Sequence, residues 1–199
     1  MIDCLVIATH NQGKWQEIHE AFAPLTIRVL SLHDFKESSP VEETGLSFIE
    51  NAILKARHAA TATGLPSLGD DSGLVVPALN DAPGLYSARY AGIPCVDKNN
   101  NQKLLQALTD RTERDAFFYC AMALCRDALD PRPIICQARW HGQILLKPQG
   151  EKGFGYDPIF YVPTHHCSAA ELTPAEKNKI SHRGLALRQL IEQLQHENA

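Results

Sequence analysis

An α/β fold built on a mixed sheet is predicted by three features of the chain. Short apolar runs alternate with amphipathic stretches from the first residues onward, and capping boxes at Ser47 and Thr173 start helices between them. Residues 116–125 are apolar on both faces, as a central strand must be. No internal repeat, low-complexity tract or Pro-, Gly- or Ser-rich linker divides the 199 residues, so 1–199 reads as one domain, or as two lobes around one cleft.

Residues 2–8 form a short apolar run ended by Thr9-His10-Asn11-Gln12-Gly13, a buried strand leading into a loop. Trp15, Ile18 and Phe22 share one helical face, and Pro24 stops that pattern. Residues 26–32 alternate, with Ile27 and Val29 on one side, and complete an opening β-α-β unit. Residues 33–46 read as a long acidic loop. In the first capping box Ser47 accepts from the amide three residues on while Glu50 reaches back to the Ser47 amide. The helix it starts carries Ile49, Ile53, Ala56 and Ala60 as its apolar stripe and ends near Thr63, before Gly64 and Pro66.

Residues 73–76 read as a strand, Pro83-Gly84 as a turn, and 101–108 as a short helix that buries Leu104, Leu105 and Leu108. Beyond the central strand, Ile134, Cys136, Ala138 and Trp140 alternate with Ile135, Gln137, Arg139 and His141, a strand with one wetter face. Thr173-Pro174-Ala175-Glu176 places proline at the first helical position, and Leu187, Leu190, Ile191 and Leu194 form the stripe of a closing amphipathic helix.

The composition excludes several classes of function. At this length 44% hydrophobic residues build a core without disulfide or metal staples. Nineteen Lys and Arg against 23 Asp and Glu give a net charge of −4 with no basic stripe, so DNA or RNA is not expected as a main partner. No apolar run reaches the roughly 20 residues that span a bilayer. Asp3 stands where a signal peptide needs basic residues, so a cytoplasmic protein without a membrane partner is expected. The six cysteines include no C-x-x-C, and His165-His166 lacks a second ligand pair, so neither a zinc site nor a disulfide framework is indicated.

Five segments could carry chemistry. Thr9-His10-Asn11-Gln12-Gly13-Lys14 joins a strand to a helix N-terminus, where amides, the helix dipole and Lys14 favour a phosphate; an ordinary polar turn is the alternative. It is not a Walker A loop, because Ala8 and Trp15 replace the first glycine and the metal-binding hydroxyl. Asp70-Asp71-Ser72-Gly73 sets two acids beside a glycine turn at the start of a strand, and Glu42-Glu43 could complete a hard-oxygen site suited to Mg²⁺. Lys55 shares a helix face with Asn51, and in isolation reads as a snorkelling surface lysine. Gly153-Phe154-Gly155-Tyr156-Asp157 interleaves glycines with rings that could stack on a flat ligand. Lys177, Ser181, His182, Arg183 and Gly184 gather donors near a kink, with Gly184 as the break.

Taken together and in order, these blocks resemble the inosine triphosphate pyrophosphatase family, also called the dITP/XTP pyrophosphatases. The series is T-x-N-x-G-K at 9–14, E-E-T-G-L-S-F-x-E-N-A-x-L-K-A-R at 42–57, D-D-S-G-L at 70–74 and A-P-G-x-Y-S-A-R-Y-A-G at 82–92. It continues with G-F-G-Y-D-P-I-F at 153–160 and A-E-L-T-x-x-E-K-N-x-I-S-H-R-G at 170–184. Departures are small: His10 fills a variable place, and Gly69 stands where alanine is commoner.

The resemblance implies an elongated mixed sheet with flanking helices forming two lobes around a central cleft, a homodimer, Mg²⁺ as cofactor, and ITP, dITP and XTP as substrates. It implies Asp71 as general base and metal ligand, Asp70 and Lys55 in support, and Glu42 or Glu43 on the metal. Thr9, His10, Asn11, Gln12, Gly13, Lys14 and Lys55 would hold the triphosphate, and Ser72 would touch substrate. Phe154, Gly155, Tyr156, Asp157, Lys177, His182 and Arg183 would enclose the base, with Arg183 and His182 donating to its C6 oxygen. Two rival readings differ in a testable way: a Maf-like pyrophosphatase for pyrimidine or modified nucleotides, and a nucleotide-binding regulator without turnover.

Overall fold

The computed structural model describes residues 2–35, 39 and 41–197; part of the acidic stretch 33–46 lies outside them. Seven strands form one mixed sheet in the order β2-β1-β3-β4-β5-β6-β7: β1 (Cys4–Ala8), β2 (Arg28–Ser31), β3 (Ser67–Val75), β4 (Asp115–Cys125), β5 (Ile134–Ile144), β6 (Phe160–Val162) and β7 (Cys167–Ser168). Strand β1 runs parallel to both β2 and β3, whereas β5-β6 and β6-β7 are antiparallel. The helices are α1 (Gln12–Phe22), α2 (Phe48–Thr63), α3 (Asp97–Ala107), α4 (Pro174–Ile180) and α5 (His182–Glu197). No helix among the described residues is long and apolar enough to cross a membrane.

The chain divides into two units. The first comprises Met1–Asp71, Cys120–Ala138 and Arg183–Ala199, the second Ser72–Tyr119 and Arg139–His182. Each has its own core. In the first, Leu5, Ile7, Leu68 and Met122 of the sheet meet Ile18 and Phe22 of α1 and Leu187, Leu190 and Leu194 of α5. In the second, Leu74, Phe118, Trp140 and Phe160 pack with Leu104 and Leu108. Leu105 stays only half-buried.

Four expectations need correction. Of the stripe expected on α2, Ala56 and Ala60 are buried but Ile49 and Ile53 are only half-buried, and the helix buries Asn51, Ala52 and Ala59 as well. The reason is close approach: a methyl group added at Gly69 of β3 would overlap the Ala52 carbonyl oxygen, so only small side chains fit between helix and sheet. At the start of α2, Ser47 caps the Glu50 amide as expected, but the Glu50 carboxylate accepts from the Leu46 amide at 2.7 Å, one residue earlier than the capping box predicts. Gly64 does end the helix in the left-handed conformation, with φ of 68°.

Strand β3 begins at Ser67, not at Gly73, because Ser67, Leu68 and Gly69 pair in register with Val6, Ile7 and Ala8. The two acids therefore sit inside a strand. The break near residue 181 is made by Ser181, whose backbone is extended (φ −70°, ψ 158°), and Gly184 lies within α5. The Thr173 box forms in full: its hydroxyl accepts from the Glu176 amide, and Glu176 accepts from the Thr173 amide at 2.8 Å.

The contact between α2 and β3 has a measurable consequence. Replacing the fully buried Ala56 by leucine forces volume into a filled space and should lower stability by about 1–3 kcal/mol. Urea unfolding would register this as a lower midpoint at an unchanged slope.

Candidate active site

Successive residues of a strand point to opposite sides, so Asp70 and Asp71 enter different surroundings from adjacent positions of β3. Asp70 is only 2% exposed. Its carboxylate pairs with the Lys14 ammonium from α1, accepts from Arg183 Nε of α5 at 3.1 Å, and accepts from the Cys120 thiol of β4 at 3.1 Å. Arg183, equally buried, also pairs with Glu17, one turn beyond Lys14 on α1.

Asp71 meets α2 instead. Lys55 Nζ donates to its Oδ1 at 2.7 Å and to the Asp70 carbonyl oxygen at 3.2 Å, while Asn51 Nδ2 lies 3.3 Å from its Oδ2. The same ammonium pairs with Glu43 at 2.7 Å. Lys55 is therefore the hub of a carboxylate cluster, and its reading as a snorkelling surface lysine is corrected. Of the two glutamates, Glu43 alone pairs with Lys55 among the described residues, and Glu42 is exposed.

Electrostatics divides the two acids. Burial would raise the pKa of Asp70, but the charges of Arg183 and Lys14 outweigh it and hold the carboxyl well below its ordinary value. For Asp71 burial prevails: its pKa is raised despite Lys55 and Lys14, and nearby Glu43 pushes the same way. Burial disfavours charge on Lys55 too, yet Asp71 and Glu43 raise its pKa and keep it an ammonium. One aspartate is thus a fixed anion, and its neighbour is the better proton acceptor.

The first loop is built differently from a row of free donors. Asn11 is the N-cap of α1, accepting from the Lys14 amide at 2.9 Å, and Thr9 Oγ1 accepts from the Asn11 amide at 3.2 Å. These two side chains hold the turn, while Lys14 is directed onto Asp70. His10 and Gln12 are exposed and Gly13 is half-buried. The His10 ring lies edge-on to His33 at 5.4 Å, and burial, followed by His33 and His58, lowers its pKa.

The second unit carries the aromatic loop. Gly153 and Gly155 have left-handed φ values of 76° and 62°. Between and beside them, Asp157 Oδ2 accepts from the Phe154 amide at 2.9 Å and pairs with Lys177 at 2.6 Å, and the Lys177 ammonium stands 4.7 Å from the centre of the Phe154 ring. Tyr156 is a core residue rather than a stacking platform: it is buried, and its hydroxyl donates to the Ser87 carbonyl at 2.8 Å. Phe154 is the ring left half-exposed. His182 is also buried, stacked on Phe118 at 4.8 Å, and Ser72 is half-buried in β3. A groove of about 810 Å³ runs beside the loop, lined by Asp97, Asn101 and Leu105 of α3 and by Phe154, Gly155 and Pro158.

Glu43 and Asp71 aim carboxylate oxygens at one cationic point, the Lys55 ammonium. A hard, oxygen-only pair fits Mg²⁺, which binds through one or two carboxylates and completes its shell with water and phosphate oxygens. Among the described residues no three His, Cys, Asp or Glu side chains form a metal-holding group on their own, at His165-His166 or elsewhere. Sequence reading missed Glu17 as a partner of Arg183 in the first unit, and Asp97 and Asn101 as partners of Gly155 in the second. Asn101 carried a signal: it occupies the helical face of Leu104, Leu105 and Leu108, where a polar residue needs a reason.

Comparison with known proteins adds a family. The Ham1 family model matches residues 5–193. A dITP/XTP pyrophosphatase of Idiomarina loihiensis is 52% identical over 198 residues, covering 96% of each chain. Among solved structures, a HAM1 protein from Coxiella burnetii superposes with a TM-score of 0.91 at 50% identity, covering 98% of this chain and all of that one. The Ham1 protein of Staphylococcus aureus gives 0.87 at 41% identity, covering 98% and 99%.

The division of the two acids predicts unequal effects on stability. Asp70→Asn takes the shared carboxylate from the buried Arg183 and the half-buried Lys14 and should cost about 3 kcal/mol, the low end for a broken buried pair because Arg183 keeps Glu17. Because the folded-state pKa of Asp70 is depressed, its contribution is complete above the unfolded carboxylate value of about 3.9 and fades as pH falls through the folded-state value. The gap between wild type and variant should therefore be full above about pH 4, begin to shrink only below it, and close only once the pH is under the depressed folded-state value. Asp71 has the opposite sign: a raised carboxyl pKa favours the fold at low pH and is lost as pH rises, so Asp71→Asn should cost less at pH 7. Urea titrations across pH give both orderings.

Proposed function

This chain belongs to the Ham1 family, and we propose that it hydrolyses the deaminated purine nucleoside triphosphates ITP, dITP and XTP to the monophosphate and pyrophosphate. The proposal includes Mg²⁺ as cofactor, a homodimer, and the cytoplasm as location. The observation that carries it is the division of labour on β3, with Asp70 held as an anion by Lys14 and Arg183 beside a more basic Asp71 tied to Lys55. The substrate class is supported by relatives named dITP/XTP pyrophosphatases at about half identity over nearly the whole chain.

In this reading Asp71 accepts the proton of a water that attacks the α-phosphorus. Lys55 orients that carboxylate and, with Lys14, opposes the roughly four negative charges of the triphosphate as they shift onto the leaving pyrophosphate. Glu43 and Asp71 are the residues that would hold Mg²⁺, which when bound would add charge neutralisation at the phosphate oxygens. Arg183 keeps Asp70 ionised, and Asp70 in turn fixes the Lys14 ammonium. Phe154 offers a face for the purine, with Lys177 and His182 on the same unit. No covalent nucleophile is required.

Product analysis tests the reaction directly. With Mg²⁺ and ITP in ¹⁸O-water, label should enter inosine monophosphate, with unlabelled pyrophosphate released; orthophosphate and the diphosphate would refute it. Chelation should abolish turnover and Mg²⁺ restore it. Asp71→Asn, nearly isosteric but unable to take the proton, should reduce kcat by about 100-fold or more. ATP bears an amino donor where ITP bears an acceptor oxygen, and each unmatched buried group costs about 1–3 kcal/mol, so ATP should be hydrolysed far less efficiently.

A further inference from the structure

We infer that Asp97 and Asn101 of α3 are positioning residues for base recognition, gripping Gly155 so that the neighbouring Phe154 ring is held ready for the purine. The inference rests on the purine triphosphatase reading above. Asp97 Oδ2 accepts from the Gly155 amide at 2.7 Å, and Asn101 Nδ2 donates to the Gly155 carbonyl at 3.1 Å. Both backbone polar groups of one residue are thus taken by two side chains four positions apart, which share a helix face. Gly155 is in the left-handed conformation, which it adopts without the penalty other residues carry.

Each partner looks selected for this contact. Asn101 is 8% exposed, and its Oδ1 has no partner among the described residues, so the amide is kept on an apolar face for its single bond to Gly155. A residue there only to fill space would be apolar. Asp97 is exposed and lends no packing, yet it supplies an ionised acceptor, the stronger kind of hydrogen bond.

The helix that carries them is firmly seated. Leu104 and Leu108 are fully buried, and Asn100 bonds the Ala91 amide at 2.7 Å and the Ala88 carbonyl at 3.1 Å. Asp157 and Lys177 tie down the other side of the loop. Fixing the peptide beside Phe154 from both sides removes the loop entropy that base binding would otherwise have to overcome.

The test uses Asp97→Ala and Asn101→Ala in the full chain, with Asp97→Asn as the conservative variant that keeps an acceptor oxygen. Base contacts act equally on the ground and transition states, so KM for ITP should rise about 10-fold or more with kcat nearly unchanged. Asp97→Asn should recover most of the loss. Hydrogen exchange of the Gly155 amide should quicken by about 10-fold or more in Asp97→Ala. Because Asp97 is exposed, that variant should fold even if Asn101→Ala does not. Unchanged KM in Asp97→Ala, or a fall in kcat alone, would overturn the inference, as would unchanged Gly155 exchange. Failure of the wild type to hydrolyse ITP would remove the functional reading and the positioning role with it, while the exchange rates would still report the grip on Gly155.

Discussion

Two adjacent aspartates buried in the middle of a strand are the constraint around which the first unit is arranged. An isolated carboxylate in such a place would give up its charge or unfold the strand, because desolvation penalises the ion by several kcal/mol. Asp70 and Asp71 avoid both outcomes because three helices each bring a cation to β3: Lys14 from α1, Lys55 from α2 and Arg183 from the first turn of α5. These helices are far apart in sequence. Their convergence is what makes the strand tolerable.

The compensation is deliberately uneven in its effect. Arg183 and Lys14 outweigh burial at Asp70, whereas at Asp71 burial outweighs Lys55 and Lys14. Neighbouring identical residues thereby acquire different proton affinities. Stability and activity are coupled through them, since the groups that hold the strand together are also those proposed to handle the triphosphate.

The second unit solves a different problem, that of keeping a glycine-rich loop in one shape. Asp157 turns back to cap the Phe154 amide, Lys177 neutralises Asp157, Tyr156 anchors in the core through Ser87, and α3 grips Gly155. Glycine permits the sharp backbone, and these polar contacts select one conformation from the many that glycine allows.

The sequence by itself determined the α/β class, the opening β-α-β unit, the central strand β4, both helix-starting serine and threonine caps, and the residue types of the candidate site. These are local properties, legible in periodicity, capping chemistry and motif order. Only the tertiary structure decided that Glu43 rather than Glu42 meets Lys55, that α2 buries Ala52 and Ala59 while Ile49 and Ile53 stay half-buried, that Tyr156 belongs to the core, and that Arg183 pairs with Asp70 and Glu17. Each of these depends on a partner 12 or more positions away in the chain or on the distance between a helix and a strand. A charged side chain carries no mark of which opposite charge it will meet until the fold brings the two together.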